Sequence, residues 1–397
     1  SSCVELKTAS LLLISGILAG MTSTFSVVLM DGSPVPIDIS QCVNVLQLHL
    51  AVAEALRVEA EQVQLIGDGR ALHSEEALVD LKDVDVVSAV LRAPEVAIYV
   101  ADGGNHRISK WRPGKPLGEV VAGSGTAGTG LDQLSRPKGI FVDCEGALVI
   151  ADTSNNRIMK WRRGQSIGEV VVGDQVVTPG EAAAAEPRPL PKGPRGVFVD
   201  RAGILYVSDF FAHRVTCWPP GCVVAGFASE DGGTESRVKH PTSIFVTADG
   251  VVYVAEFLRH QVTKWLPGAL RGEVVAGGNG EGRGLHQLDA PWGVVVDAEG
   301  ALYVSETNNH RVTRWAPGSS RGEVVAGGRG SGGDLSQLAG PTGICMDGDG
   351  KLYVAENHNH RVTCWTPGER KGEVVAGGNG PGHGTNQLAH PTDVYVC

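Results

Sequence analysis

A repeated pattern fills most of the chain and limits the folds it can adopt. Six segments share a hydrophobic pair, an acidic residue, Asn-His-Arg or a variant of it, and a closing Trp. The Trp residues are 111, 161, 218, 265, 315 and 365, spaced by 50, 57, 47, 50 and 50 residues. Self-similarity at a steady period of this length indicates a repeat architecture, in which each unit buries its hydrophobic faces against its neighbours.

The fifth unit shows what one repeat contains. Residues 293–297, 302–305, 311–315 and 323–326 are short apolar or alternating runs, separated by turns rich in Gly and Pro. Four such strands, which we call a to d, form one antiparallel sheet. Six units of four strands predict an all-β, six-bladed β-propeller over residues 94–397.

The two ends of the repeat array predict how the ring closes. Strand a follows a Pro in every unit except the first, whereas the chain ends on an unassigned strand a at residues 391–397. We expect this C-terminal strand to complete blade 1, because an open ring would leave two exposed sheet edges.

The repeat resembles a known family. The pattern P-x-G-I-x-V-D-x-x-G-x-L-Y-V-A-[DE]-x-x-N-H-R-V is similar to the NHL repeat, and it recurs over the 304 residues of 94–397. The third unit has Ala212-His213-Arg214 and the fourth has Arg259-His260-Gln261 in place of Asn-His-Arg. The resemblance implies a propeller that binds protein partners, often as the substrate-recognition arm of a ubiquitin ligase. This chain shows no RING-type Cys/His array, so it would act as an adaptor.

The segment before the propeller is different in kind. Residues 24–93 read as a strand, a hairpin strand, a helix over 45–58, a strand at 63–66 and a last strand at 86–91. The stretch QVQLIGDGRALHSEEALVDL resembles ubiquitin, which implies a small α/β β-grasp domain. No Gly-Gly tail follows Arg92, so conjugation is not expected. The domain is interpreted either as a docking module for ubiquitin-system partners or as a small adaptor domain with no ubiquitin role. Residues 1–23 are interpreted as a leader or flexible segment.

The predicted binding surface is the propeller face that carries the b–c turns and the d–a connections, because loops on a rigid scaffold often carry function. Its candidate binding residues are His106, Arg107, Arg157, His213, Arg214, His240, His260, His310, Arg311, His360, Arg361 and His390. The acidic-to-Arg pair recurs in five blades. This repetition favours a structural role for the arginines, because chemistry would need such a pair only once.

Two other functions stay open at this stage. Some related six-bladed propellers are lyases that hold zinc with channel histidines, and His240 and His390 occupy the same repeat position in opposite blades. No third His occupies that position, while zinc takes three or four ligands. We therefore predict no metal site, no cofactor and no catalytic residue.

The second open function is RNA binding. The chain carries a net charge of −10, but residues 94–397 hold 29 Lys and Arg against 32 Asp and Glu, so most of the excess acid lies before the propeller. A run of basic residues on blades 2 and 3 could form a local patch: Arg136, Lys138, Arg157, Lys160, Arg162, Arg163, Lys192 and Arg195. RNA binding is thus an alternative to protein docking, which we favour.

The compartment is inferred from cysteine and apolar content. The eight Cys are scattered, with one close pair at Cys217 and Cys222, and are interpreted as mostly free thiols, although an oxidised pair stays open. The apolar run at residues 11–20 is too short to span a bilayer, and the hydrophobic region of a signal peptide stays open as an alternative to a flexible leader. We expect a cytoplasmic protein with no membrane partner.

Overall fold

The computed structural model describes the chain in two compact units, Ser1–Glu95 and Val96–Cys397. The residues it describes are 24–28, 34–38, 53, 63–67, 70–71, 87–91, 96–173, 190–219, 221–226 and 238–397. The sequence also predicts a long inserted loop at residues 178–194 of the second unit of the repeat, and most of it lies outside this set. Among the described residues, no helix has both the length and the apolar character needed to cross a bilayer.

The first unit contains strands where the sequence predicts them. Thr24–Val28 and Pro34–Asp38 form an antiparallel hairpin. Val63–Gly67 is the central strand of a second sheet, flanked by Arg70–Ala71 and Val87–Leu91. Of the predicted helix over 45–58, only Ala53 is described, and it is helical. The ubiquitin-like domain therefore stays a prediction.

The second unit is a six-bladed β-propeller in which each blade is a four-stranded antiparallel sheet. The fold class predicted for this part of the chain is confirmed. The strands a to d of blades 2 to 6 have the following bounds. Blade 2 contains Ile140–Val142, Leu148–Asp152, Arg157–Trp161 and Glu169–Val172. Blade 3 contains Pro194–Val199, Leu205–Asp209, Arg214–Trp218 and Cys222–Ala225. Blade 4 contains Pro241–Val246, Val252–Glu256, Gln261–Trp265 and Glu273–Gly277. Blade 5 contains Pro291–Val296, Leu302–Glu306, Arg311–Trp315 and Glu323–Gly327. Blade 6 contains Pro341–Met346, Leu352–Glu356, Arg361–Trp365 and Glu373–Gly377.

Blade 1 draws its strands from both ends of the propeller sequence. Its inner strand a is Pro391–Val396, which pairs with strand b at Ile98–Asp102. Strands c and d are Arg107–Trp111 and Glu119–Ala122. The b–c turns of blades 1, 2 and 4 contain short 3₁₀ helices at Gly103–Asn105, Thr153–Asn155 and Phe257–Arg259.

The hydrophobic core lies between neighbouring blades. Each of the six clusters combines apolar residues of one blade with those of the next, and each contains one of the repeated Trp residues. In blade 5, Trp315 is buried and its indole N–H donates to the Thr313 hydroxyl at 3.1 Å. A Cβ on Gly322 would lie 2.8 Å from the Trp315 ring, so only glycine fits beneath it.

The close cysteine pair is oxidised in the structure. Cys217 and Cys222 face each other across strands c and d of blade 3 and form a disulfide, with their Cα atoms 5.3 Å apart. The oxidised pair that the sequence left open is the state observed, because the strand register places the two side chains directly opposite each other. Disulfides of this kind persist mainly in oxidising compartments. The cytoplasmic location therefore stays a prediction.

Candidate functional site

The acidic and basic residues that recur in the repeat form a buried network of hydrogen bonds, which blade 5 shows most completely. Arg311 donates from Nε to Glu306 Oε1 at 2.7 Å and from Nη2 to Oε2 at 3.0 Å. The same guanidinium donates to the carbonyls of Arg283 and Gly284, in the connection that leads into the blade. Asn309 and Thr313 also donate to the carboxylate. The pKa of Glu306 is raised by burial, and the bonds from Arg311 oppose that shift.

The candidate arginines occupy the same place in the other blades. Arg107, Arg157 and Arg361 are buried, each donating to its own blade's carboxylate and to carbonyls of the preceding connection. Arg214 of blade 3 is less buried and makes longer bonds, at 3.2–3.3 Å to Asp209. These arginines fix the loops of the binding face, and their donors point inward rather than toward a ligand.

In blade 4, a different set of side chains forms hydrogen bonds to the buried carboxylate. Glu256 accepts from Gln261 at 3.0 Å and from Thr263 at 2.9 Å, and Arg259 supplies the cation at 3.4 Å. The Arg that the motif loses at position 261 is thus replaced by one two residues earlier.

The candidate histidines of the b–c turns join neighbouring blades. Each occupies the left-handed region, with φ between 52° and 56°, and its Nδ1 accepts a hydrogen bond from the backbone N–H just before strand a of the next blade. The bonds are Arg136 N–H to His106, His240 N–H to His213, Ala290 N–H to His260, Gly340 N–H to His310 and His390 N–H to His360, at 3.0–3.2 Å. In blade 2, Asn156 Oδ1 accepts from Gly193 N–H at 2.7 Å.

This bond defines the protonation state of the histidines. A ring whose Nδ1 accepts is neutral and carries its proton on Nε2. Burial accordingly lowers the pKa of His106, His213, His310 and His360 below its usual value. We call the five histidine contacts and the Asn156 contact of blade 2 the inter-blade staples.

The structure separates the two histidines proposed as opposite channel ligands into two different pairs. The His240 ring packs against His213 with centroids 4.3 Å apart, and His390 packs against His360 at 4.6 Å. The one group of three potential metal ligands in the described part of the chain is His260, Glu281 and Asp289. His260 Nδ1 there already accepts the Ala290 N–H, so this nitrogen is not free to bind a metal, and the carboxylates of Asp289 and Glu281 lie 3.5 and 3.7 Å from the stapled ring.

The predicted basic patch does not assemble as one surface. Arg157 is committed to Asp152, and Lys160 pairs with Asp143 at 2.8 Å. Arg162 lies near Glu145 and Glu169, beyond the far end of strand c. Only Arg136, Lys138, Lys192 and Arg195 remain at the loop face, at the start of the inner strands.

Aromatic side chains of the inner strands of different blades contact one another at the centre of the ring. Near the end of strand a, Phe141 contacts Phe198 and Tyr395 with centroids 4.7 and 5.0 Å apart. At the other end, Trp292 of blade 5 lies across the channel, with Lys138 Nζ at 5.4 Å and the Arg195 guanidinium at 4.8 Å from its ring. Arg195 also stacks on Phe210 at 3.3 Å. Sequence reasoning missed Trp292, whose position in strand a marks it as a departure from the repeat.

An apolar patch lies beside Trp292 on blades 3 to 5. Phe211 is 65% exposed and Leu258 is 47% exposed, both at the second position of a b–c turn. The ring centroids of Phe211 and Phe210 lie 5.1 Å apart, and those of Phe257 and Trp292 lie 5.9 Å apart. Arg195 contacts both Phe210 and Trp292 and thus connects the two pairs of rings. We call the surface formed by Phe211 and Leu258, with the rings of Phe210, Phe257 and Trp292 beside them, the apolar patch.

A separate cavity of about 350 Å³ opens beside the channel at blades 6, 1 and 2. Its lining includes Gly103, Gly104, His106, Arg136, Lys138 and His390, and we call it the mouth pocket. Burial, with Arg195 and Arg136 nearby, lowers the pKa of Lys138 to about 8. Burial also lowers the pKa of Arg195 to about 10.

Comparison with known proteins supports the repeat assignment. A family model described as NHL repeat matches residues 288–315 and 338–365, which cover strands a to c of blades 5 and 6. The chain contains NHL repeats. In both of these blades, the repeat contains the buried Arg–carboxylate network and the inter-blade staple described above.

Several solved structures are similar to this chain at low identity, and one of them has a TM-score above 0.5 that supports the same fold. The NHL propeller is similar to a chain of a nidogen/laminin complex, with 14% identity, 76% of this chain and 98% of that chain covered, and a TM-score of 0.54. A virginiamycin B lyase from Staphylococcus aureus matches at 15% identity over 60% of this chain and 68% of that one, with a TM-score of 0.36. A streptogramin B lyase matches at 14% identity over 72% and 84%, with a TM-score of 0.39. A search of curated proteins found no match.

Proposed function

We propose that this chain is a non-catalytic scaffold that docks a protein partner on the b–c/d–a face of its propeller. The observation that carries the proposal is the apolar patch, in which Phe211 and Leu258 stand where blades 2 and 5 have Ser154 and Asn308. Exposed aromatic and aliphatic side chains with a polar surround are typical of interaction surfaces.

The scaffold beneath the patch supports this role. The buried networks and inter-blade staples hold the turns of the face in place, so little ordering is lost when a partner binds. The expected occupant is an extended peptide segment of the partner that places an apolar side chain between Phe211 and Leu258. The neighbouring cations Arg195 and Lys138 favour an acidic residue beside it.

The narrower form of the proposal is an adaptor or substrate-recognition arm in ubiquitin-mediated turnover. It rests on the sequence resemblance of residues 24–93 to ubiquitin and on the roles of other NHL propellers. The lyase alternative lacks support from the described residues, since His240 and His390 each pair with another histidine in a separate blade junction.

A peptide-display library screened against the full chain tests the docking proposal. Peptides enriched on the wild-type protein are remeasured against the double variant Phe211→Asn, Leu258→Asn, which gives both turns the residue of blade 5. We expect at least a tenfold loss of affinity. The matched control is Leu270→Asn, because Leu270 is 68% exposed in the c–d turn on the opposite face. Equal binding by the double variant and the wild type would contradict the proposal.

A further inference from the structure

Three departures from the repeat meet at the mouth pocket. The first is Lys138, the second residue of strand a in blade 2. Blades 4, 6 and 1 have a buried Thr at this position (Thr242, Thr342 and Thr392), whose hydroxyl donates to the carbonyl of the Pro that begins the next blade, at 2.9–3.2 Å. In blade 2 the corresponding carbonyl, that of Pro194, accepts from Thr153 at 2.6 Å instead. The fold therefore does not require a cation at position 138.

The second departure is the Gly103-Gly104 pair in the b–c turn of blade 1. Thr153, Thr307 and Asn357 stand at the position of Gly103 in blades 2, 5 and 6, and each bonds the Pro carbonyl of the next blade. A Cβ on Gly103 would lie 3.0 Å from Thr392 Cγ2 and 3.1 Å from the Pro137 carbonyl oxygen. The turn therefore lies tightly against Thr392 and Pro137, and it contributes backbone rather than side chains to the lining of the mouth pocket.

The third departure is Arg136, which precedes strand a of blade 2. Its φ of 48° places it in the left-handed region, where the other blades have Gly193, His240, Ala290, Gly340 and His390. A long cation at this strained position again serves no visible need of the fold.

The charge of the mouth pocket is not balanced. Both Arg136 and Lys138 line it, and Arg195 lies close enough to depress the basicity of Lys138. Among the described residues, no carboxylate lines the pocket and none forms an ion pair with Arg136 or Lys138. Arg136 is exposed, whereas Lys138 is partly buried without a counter-charge, which is costly, so an anion that enters the pocket gains strong interactions.

A neutral donor completes the lining. The staple to Arg136 N–H fixes the proton of His106 on Nε2, so this uncharged ring can donate a hydrogen bond from Nε2. His390 Nδ1 donates to Asn357 Oδ1 at 3.3 Å, which orients the second imidazole and uses its donor within the protein.

We propose that the mouth pocket binds a small molecule through its phosphate group. An ammonium, a guanidinium and the Nε2–H of His106 offer more donors than the two oxygens of a carboxylate can use, whereas a phosphate has three terminal oxygens. The volume of about 350 Å³ leaves room for the organic part of the ligand beside Gly103 and Gly104.

Calorimetric titration of the full chain tests this proposal, with inorganic phosphate, ribose 5-phosphate and acetate as probes. We expect saturable 1:1 binding of both phosphates, tighter for ribose 5-phosphate, and at least tenfold weaker binding of acetate. Lys138→Thr, which installs the residue of blades 4, 6 and 1, should weaken phosphate binding at least tenfold. Lys371→Thr is the control with the same charge change, at an exposed position before strand d of blade 6.

A second variant tests the cavity rather than the charge. Gly103→Thr introduces the side chain that blades 2 and 5 carry, and it should weaken ribose 5-phosphate binding while Lys138 is intact. Thermal melting of each variant checks that the propeller remains folded.

Four outcomes would overturn the proposal. One is no saturable phosphate binding by the wild type, and another is equal loss in Lys138→Thr and Lys371→Thr. Acetate binding as tight as phosphate would remove the selectivity. Binding of a short oligouridylate more than tenfold tighter than ribose 5-phosphate, with a steep salt dependence, would make the surface an RNA site instead.

Discussion

Blades 5 and 3 are built to the same plan but differ in how they use it. In blade 5 the Glu306–Arg311 pair is buried, and its b–c turn presents Thr307 and Asn308. In blade 3 the Asp209–Arg214 pair is longer and more exposed, and its b–c turn presents Phe210 and Phe211. Positions that repeat in every blade maintain the fold. The positions that form the apolar patch and the mouth pocket include departures from the pattern in blades 1 to 4 and, at Trp292, in blade 5.

The strongest test of the repeated architecture removes residues 391–397. This deletion takes the inner strand from blade 1 and exposes the edge of Ile98–Asp102, so we expect loss of a cooperative unfolding transition or a fall of more than about 4 kcal/mol in stability. Thermal and urea melts measure it. The control is Asp393→Gly, which keeps the strand and installs the residue of blades 2, 3, 5 and 6. An unchanged melting curve for the deletion would show that the ring does not depend on this closure.

Truncating one arginine in each of the two blades sharpens the comparison. Arg311→Ala leaves Glu306 buried without its cation, and we expect a loss of about 3–5 kcal/mol in the free energy of unfolding. Arg214→Ala should cost about 1–2 kcal/mol, because the Asp209 pair is longer and Arg214 is partly exposed. Urea unfolding gives both values. Equal losses would mean that burial does not distinguish the two networks.

The smallest expected effect concerns the inter-blade staples and pH. The folded-state pKa of His310 is lowered by burial, with His358 and Arg283 adding to the shift, while the unfolded value is near 6.5. As the pH falls below about 6.5 the unfolded chain binds the proton first, so the stability that this staple provides above that pH is lost on acidification.

Blade 2 provides the matched variant for this test. His310→Asn copies Asn156, which makes the same bond without titrating. Between pH 7.5 and 5.5 the variant should lose less stability than the wild type, by about 1 kcal/mol or less. His286→Asn, at an exposed histidine outside the staples, serves as the control. A variant with the same pH dependence as the wild type would exclude His310 as a titrating staple.

Much of the fold was predictable from local patterns, because strand length, turn residues and the buried Trp recur in register with the period. Asp209, Glu256 and Glu306 could be recognised as structural by their repetition alone. The apolar patch could have been found by reading Phe211 and Leu258 as departures from the polar turns of the other blades. The Cys217–Cys222 disulfide could not be decided from spacing, since it depends on the strand register that places the two side chains opposite each other.

The sequence by itself determined the number of blades and the chemistry of each repeated position, because both follow from a pattern that local propensity can express. Only the tertiary structure decided which departures act together. Gly103, Arg136 and Lys138 lie on two blades and line one cavity, while Arg195, Phe210 and Trp292 come together from blades 3 and 5. Closing a ring brings residues that are distant along the chain to a single channel mouth, and no local pattern in the sequence records that proximity.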